Sequence, residues 1–307
     1  MKIISVINYK GGVGKTTIVA NLVSELAWRG NKILAIDLDP QSSLTFSFIS
    51  VDAWRNNYEA NQTIKNWYDE FIDESGAVSL AGLIIQPSRI NRRVSQRNGS
   101  LDLICSHLAL INIDLELATK LGGATTRQFR NNFLKVYSRL KAGLSELEQD
   151  QYDYIIIDCP PNFNIVTRNA IVCSDWYLVP AKPDYLSTMG IEQLQRHVLE
   201  LVTDYNHYVS ETRENAWQTI SPQILGIIFT MIKIYGGQPI STQRQYINQV
   251  GNLHLPIFDT QIRENKTIYG DAPEYGVPVV LQYVTGETYE NVQGELENFT
   301  TELIGKA

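Results

Sequence analysis

The 307-residue chain is poor in the features that mark secreted, membrane-spanning and nucleic-acid-coating proteins. It has three cysteines, Cys105, Cys159 and Cys173. They cannot pair evenly and lack metal-type spacing, so neither a disulfide framework nor a cysteine–metal site is expected, and a reduced, cytoplasmic setting is. No apolar run reaches the roughly 18 residues that a spanning helix needs. The chain enters the alternating apolar stretch KIISVIN without a cationic leader, so no signal peptide is expected. Positive charge is not in excess either: 26 Lys+Arg face 33 Asp+Glu, a net charge of −7 that argues against a surface coated for nucleic acid. Fixed-period repeats and low-complexity linkers are missing too. What remains is an ordinary globular composition, 44% hydrophobic and 19% charged, long enough for one large α/β core or one with an insertion.

The pattern of apolar residues fills that frame. Residues 3–7 read as a buried strand, 8–14 as a glycine-rich loop and 15–29 as a helix with Ile18, Val19, Leu22, Val23 and Leu26 at helical spacing; Gly30 suits its left-handed stop. Residues 32–39 read as the next buried strand, so the unit is βαβ and its strands should run parallel. Further strands are expected at 101–106, 152–159, 176–182, 224–232 and 255–260, and helices at 63–74, 108–121 and 127–148. About seven strands alternating with helices predict a doubly wound, mostly parallel α/β sheet with helices on both faces.

Three motifs sit at strand ends. NYKGGVGKTT (8–17) has Tyr9 where the usual phosphate loop has its first glycine, and an additional lysine, Lys10, at its mouth. Its glycines Gly11, Gly12 and Gly14 let backbone N–H groups approach an anion, and the following helix N-terminus adds partial positive charge. Lys15 is placed for outer phosphates and Thr16 for Mg²⁺. DLDPQ puts Asp37 and Asp39 two residues apart, on one face if both are in the strand, at the edge where ligands of such sheets bind. In IIIDCPP, Asp158 ends a run of buried apolar residues, as a carboxylate that holds Mg²⁺ does. Each aspartate could instead cap a turn, but the three motifs together specify a Mg²⁺-dependent nucleoside triphosphatase.

KGGVGKTT, DLDPQSS, IIIDCPPN and LVPAKPDYLSTMGIEQL occur in the order and register of the ParA/MinD deviant-Walker ATPases, and the chain resembles their ParA (Soj-like) partition branch over most of residues 1–200. DAPEYGVPV (271–279) is a weaker match. The resemblance implies a single ATPase domain over 1–307 with an elaboration around 50–100, and ATP and Mg²⁺ as cofactors. It implies nucleotide contacts from residues 10–17, namely Lys10, Gly11, Gly12, Val13, Gly14, Lys15, Thr16 and Thr17. Metal contacts would come from Thr16, Asp37 and Asp158, and Asp39 would position the attacking water. Lys10 would be the signature lysine that crosses to a partner subunit's nucleotide, so that ATP makes a homodimer and a ParB-like adaptor stimulates hydrolysis.

The chain also departs from that pattern. TMIK has Lys233 where ParA-branch proteins often have aspartate, and Thr230 and Met231 are the adenine contacts expected there. No helix-turn-helix precedes the loop, so operator binding is not expected. The C-terminal stretch GETYENVQGELENFTTELIGKA is acidic, unlike a cationic membrane-anchoring helix. Nonspecific DNA binding would need basic residues, yet residues 201–307 hold six Lys+Arg against twelve Asp+Glu. Arg244, Arg263 and Lys266 are candidates there. The window 86–141, with ten basic and three acidic residues, adds Arg92, Arg93 and Arg130. Solvated helix faces explain the same charges, and an ATPase switch acting on a protein scaffold is the alternative to DNA. A redox ATPase would need glycine-flanked cluster cysteines that Cys105 and Cys159 do not match. An ATP-dependent ligase of this fold would not need Lys10.

Overall fold

The computed structural model describes residues 1–307 apart from 77, 149, 213–215 and 284, and describes only the backbone of 271–275. β1 (Lys2–Val6) leads through the loop into α1 (Lys15–Trp28) and β2 (Lys32–Asp37). Short helices α2 (Ser43–Phe48), α3 (Val51–Asn57) and α4 (Ile64–Asp73) follow, then β3 (Ile84–Ile85), α5 (Ser88–Val94) and β4 (Ser100–Ile104). Next come α6 (Ile113–Thr119), α7 (Thr126–Tyr137), α8 (Arg139–Ser145), β5 (Tyr154–Asp158), α9 (Ile165–Cys173) and β6 (Trp176–Ala181). The chain continues with α10 (Tyr185–Glu211), β7 (Gln223–Ile232), the hairpin β8 (Ile234–Tyr235) and β9 (Gln238–Pro239), and α11 (Ser241–Gly251). It ends with β10 (Ile257–Arg263), α12 (Lys266–Tyr275) and α13 (Glu287–Lys306).

Eight strands form one sheet in the order β10-β7-β6-β1-β5-β2-β4-β3, parallel except for β3 at its edge. The expected count of about seven is thus one short in this sheet. β3 is two residues long and carries no periodicity that could announce it. The predicted helix over 127–148 is two, α7 and α8, broken at Ser138, whose hydroxyl bonds back to the Leu134 carbonyl at 2.6 Å. The helix expected over 108–121 opens as a 3₁₀ turn at Leu108–Asn112 before α6. DAPEYGVPV begins within the residues whose side chains lie outside the described set, so that weak match is not tested there.

Because the central strands are covered on both faces, they are apolar almost throughout, β5 being fully buried along its length. One face packs α4 and α6–α11 and the other packs α1–α3, α5 and α13. Close packing fixes Gly99: a Cβ there would lie 1.8 Å from the Ala27 carbonyl oxygen at the end of α1. The acidic C-terminal helix α13 buries Val292, Leu296, Phe299 and Leu303 against this core. Arg29 holds it with bonds to the Glu297 carbonyl (2.9 Å) and Thr301 (2.8 Å). Its apolar face is therefore covered by the fold itself. Among the described residues, no helix is long and apolar enough to cross a membrane.

Candidate nucleotide site

The centre of the sheet positions the site. β1 lies between β5 and β6, and its register with β5 brings Val6 beside Asp158; β2 in turn places Asp37 beside the same residue. Phosphate loop, Asp37 and Asp158 thus meet at the carboxyl edge. Gly12 (φ 71°) and Gly14 (φ 78°) adopt left-handed backbone that side-chain-bearing residues avoid. Nothing lies within 4 Å of a Cβ built on Gly11 or Gly12, so both open onto the cavity beside them. α1 starts at Lys15 with no side-chain cap and no acidic residue in its first turn, leaving its N–H groups to an anion.

That cavity, of about 470 Å³, is bordered by Gly11, Gly12, Gly14, Lys15, Thr16, Thr17 and Asp39. Its size suits a nucleotide. Lys15 is only 6% exposed and its ammonium donates to the Asn8 carbonyl at 3.2 Å. Burial pushes its pKa down, opposed by the charges of Asp158 and Asp39. Thr16 donates its hydroxyl to Asp158 Oδ2 at 2.7 Å, while Asp158 Oδ1 is buried with no hydrogen-bond partner. Burial, with the neighbouring charge of Asp37, pushes the Asp158 carboxyl well up; the Thr16 bond and Lys15 resist. A buried carboxylate with a free lone pair beside a hydroxyl is an oxygen donor set that suits a small hard cation, so the residues fit Mg²⁺.

Asp37 and Asp39 do not share a strand face as the spacing suggests. β2 ends at Asp37, and Asp39 lies in the turn beyond it, its Oδ1 accepting the Gln41 N–H at 2.9 Å and its side chain bordering the cavity. Asp37 is fully buried and already accepts three bonds, from Asp39 N–H (3.1 Å), Thr45 N–H (2.8 Å) and the Thr45 hydroxyl (2.8 Å). Burial raises its carboxyl to about 7 against those bonds, and the Asp39 charge adds to the rise. Its neighbours are thus protein donors, and it ties α2 to the site.

Lys10 turns back onto its own chain. Its ammonium bonds Asp184 Oδ2 at 2.5 Å, and the other Asp184 oxygen caps α10 by accepting the Ser187 N–H at 2.9 Å. Thr230 and Met231 border a second, mostly apolar slot of about 140 Å³ with Gly14, Thr17, Ile262 and Tyr269. The Thr230 hydroxyl is spent on the Val13 carbonyl at 2.7 Å, and Met231 adopts a strained φ of 54°. Lys233, in the place of the expected aspartate, reaches Glu264 at 4.0 Å.

The candidate DNA residues are scattered. Arg130 pairs with Glu211 (2.9 Å), Arg263 with Glu295 (2.7 Å), and Arg93 donates to the Leu281 carbonyl and lies over Tyr283. Arg92, Arg244 and Lys266 are exposed. All three cysteines are buried free thiols, and burial raises each pKa. Sequence reasoning missed Asn8, whose side chain accepts the Lys10 N–H (2.9 Å) and donates to the Pro180 carbonyl (2.8 Å). It also missed Thr45, Tyr269 and Asp184. Only Asp184 carried a local signal, an aspartate just before a helical pattern, and that signal reads as a cap.

A family model described as an AAA domain matches residues 1–210. The chain is 28% identical over 283 residues to the sporulation initiation inhibitor protein Soj of Bacillus subtilis, covering 91% of this chain and 90% of that one. Apo McdA of Cyanothece superposes with a TM-score of 0.71 at 23% identity, over 99% of this chain and all of that one (100%). A plasmid partition protein of Borrelia burgdorferi bound to AMPPNP gives 0.65 at 22% identity, over 100% and 99%. At such identities the two structures speak for the shared fold, while the family model and Soj speak for kinship. The chain belongs to this AAA-domain family, among its ParA/MinD-like partition ATPases.

Proposed function

We propose that the protein is a Mg²⁺-dependent ATPase that cycles between monomer and ATP-bound homodimer, and that the dimer binds DNA nonspecifically to position or segregate a cargo. A ParB-like adaptor stimulates hydrolysis, and the protein is cytoplasmic, associated with the nucleoid when ATP-bound. One observation carries the reading: the buried Asp158 bonded to the half-buried Thr16, with Asp158 Oδ1 unpartnered, beside the buried Lys15 in an open glycine-lined cavity. Charge is buried there at a cost to folding that Mg²⁺ and phosphate would offset. The bound AMPPNP of the Borrelia neighbour supports the choice of ATP.

In this mechanism the loop amides from Gly11 to Thr17 and Lys15 cradle the phosphates, and Thr16 and Asp158 hold Mg²⁺ while Asp37 braces the metal side through α2. Mg²⁺ bound there would supply positive charge that offsets the repulsion of the phosphate oxygens. Asp39, at the cavity wall, orients the attacking water. Lys10 supplies a cation to the partner's nucleotide, as an arginine finger does, so pairing depends on the outer phosphate. Thr230 and Met231 line the slot for the base. Arg244 and Lys266, both exposed, are the first residues proposed for DNA, with Arg92, Arg93, Arg130 and Arg263 behind them.

Mass measurements in solution with ATP, on wild type and Asp39→Ala, test the switch: a dimer that persists in the variant supports it, and monomers in both overturn it. The ion pairs that occupy Arg130 and Arg263 favour a second reading, a switch acting on a protein scaffold. ATP-dependent, salt-sensitive binding to random-sequence duplex supports the DNA reading; its absence in a protein that still dimerises leaves the scaffold.

A further inference from the structure

We propose that Asp184 is a positioning residue that holds Lys10 in cis, so that dimerisation must first pull the lysine off it; this rests on the ATP-dimer reading above. Lys10 has one ion-pair partner in its own chain among the described residues, and that partner lies 174 residues away. Asp184 is well suited to the task because its two oxygens do separate work. Oδ1 caps the 27-residue α10 through the Ser187 N–H, which fixes the side chain, and Oδ2 faces Lys10 at 2.5 Å. The pair is partly shielded, with side chains 33% and 29% exposed, so it holds the lysine but can be broken.

The loop mouth is anchored to α10 a second time. Tyr9 bonds His197 Nδ1 on that helix, and Gln193 fixes the other ring nitrogen at 2.6 Å. Asn8 holds the Lys10 backbone from within. With residues 8 and 9 pinned and the Lys10 amide bonded, the freedom left is the swing of the Lys10 side chain. Next to it the first two turns of α10 expose Tyr185, Leu186 and Met189 to solvent at 60%, 66% and 54%. Apolar surface of this kind beside the lysine fits burial against a second copy.

Two latches open per dimer, so their effects multiply. A partly exposed pair is worth about 2- to 5-fold, which makes about 4- to 25-fold in the association constant. The test compares that constant, by sedimentation in a non-hydrolysable ATP analogue, for wild type, Asp184→Asn and Asp184→Glu. Asparagine keeps a capping oxygen and loses the charge. The expected result is tighter pairing by that factor in Asp184→Asn with an unchanged melting temperature, and near wild-type pairing in Asp184→Glu. Should Asp184→Asn prove unstable, Asp184→Ser supplies the same uncharged cap. Pairing unchanged or weakened in the uncharged variants, with a wild type that dimerises, overturns the latch and leaves the proposed function standing. A wild type that stays monomeric in the analogue overturns the dimer reading and the latch with it.

Discussion

At the carboxyl edge of the sheet Asp158 is buried with an oxygen that bonds nothing, whereas across residues 86–141 several basic side chains lie on rings and carboxylates. Arg97 stacks on Trp28 at 4.1 Å, Arg139 on Trp67 at 4.0 Å, and Lys120 and Arg130 pair with Glu74 and Glu211. The first region leaves a buried carboxylate oxygen without a partner, whereas in the second these four cations are held by rings or carboxylates within the fold. Desolvating an ionised group is costly unless a partner arrives, so the unsettled carboxylate marks a ligand more clearly than an excess of arginines marks a polyanion.

Asp158→Asn is the strongest way to break this contrast. It should cut Mg²⁺-dependent phosphate release by about 10²- to 10³-fold while raising the melting temperature of the ligand-free protein at high pH, where ionising the buried carboxyl is costly. A variant that loses stability there would place Asp158 with the settled charges.

The pH dependence sharpens the same point. Asp37 binds its proton up to about 7 in the fold but only to about 3.8 in the open chain. The folded state then carries more protons between those values. Its stabilising contribution is full below about 3.8 and is lost as pH rises to about 7. Thermal melts of the ligand-free protein should therefore fall by several degrees across that window, and Mg²⁺ with ATP should recover most of the loss at the upper end.

On the other side of the comparison, Arg139→Ala should destabilise by about 1–2 kcal/mol through lost stacking on Trp67, with phosphate release unchanged. The smallest effect is expected for Arg130→Ala, whose exposed pair with Glu211 is worth about 1 kcal/mol or less by denaturant unfolding. A steep loss of DNA binding in that variant would make the basic window a nucleic-acid face after all.

How much of this was legible follows from the range of the interactions. Strand–loop–helix order around residues 3–37 could be read locally, because buried strands are apolar and a glycine-rich turn before a helix has a fixed meaning. Asp158 could be read for the same reason, as a carboxylate closing an apolar run. The bonding of Asp37 could not: Thr45 lies beyond the next turn, and no spacing rule links them. Nor could Lys10–Asp184, in which a local cap signal hid a second task. The positive sum over 86–141 does not by itself describe a surface, because a count does not show that the Arg97 and Arg139 guanidiniums lie on tryptophan.

The bond from the Thr230 hydroxyl to the Val13 carbonyl spans 217 residues of chain. Among the described residues β1, which carries the loop, pairs only with strands that begin at residues 154 and 176. A chain emerging from the ribosome therefore exposes its phosphate loop early and completes it late, since contacts of such sequence separation form only once most of the polypeptide is available. Nascent and truncated chains thus carry the motif without its geometry, and competence to take a nucleotide arrives with the C-terminal third of synthesis.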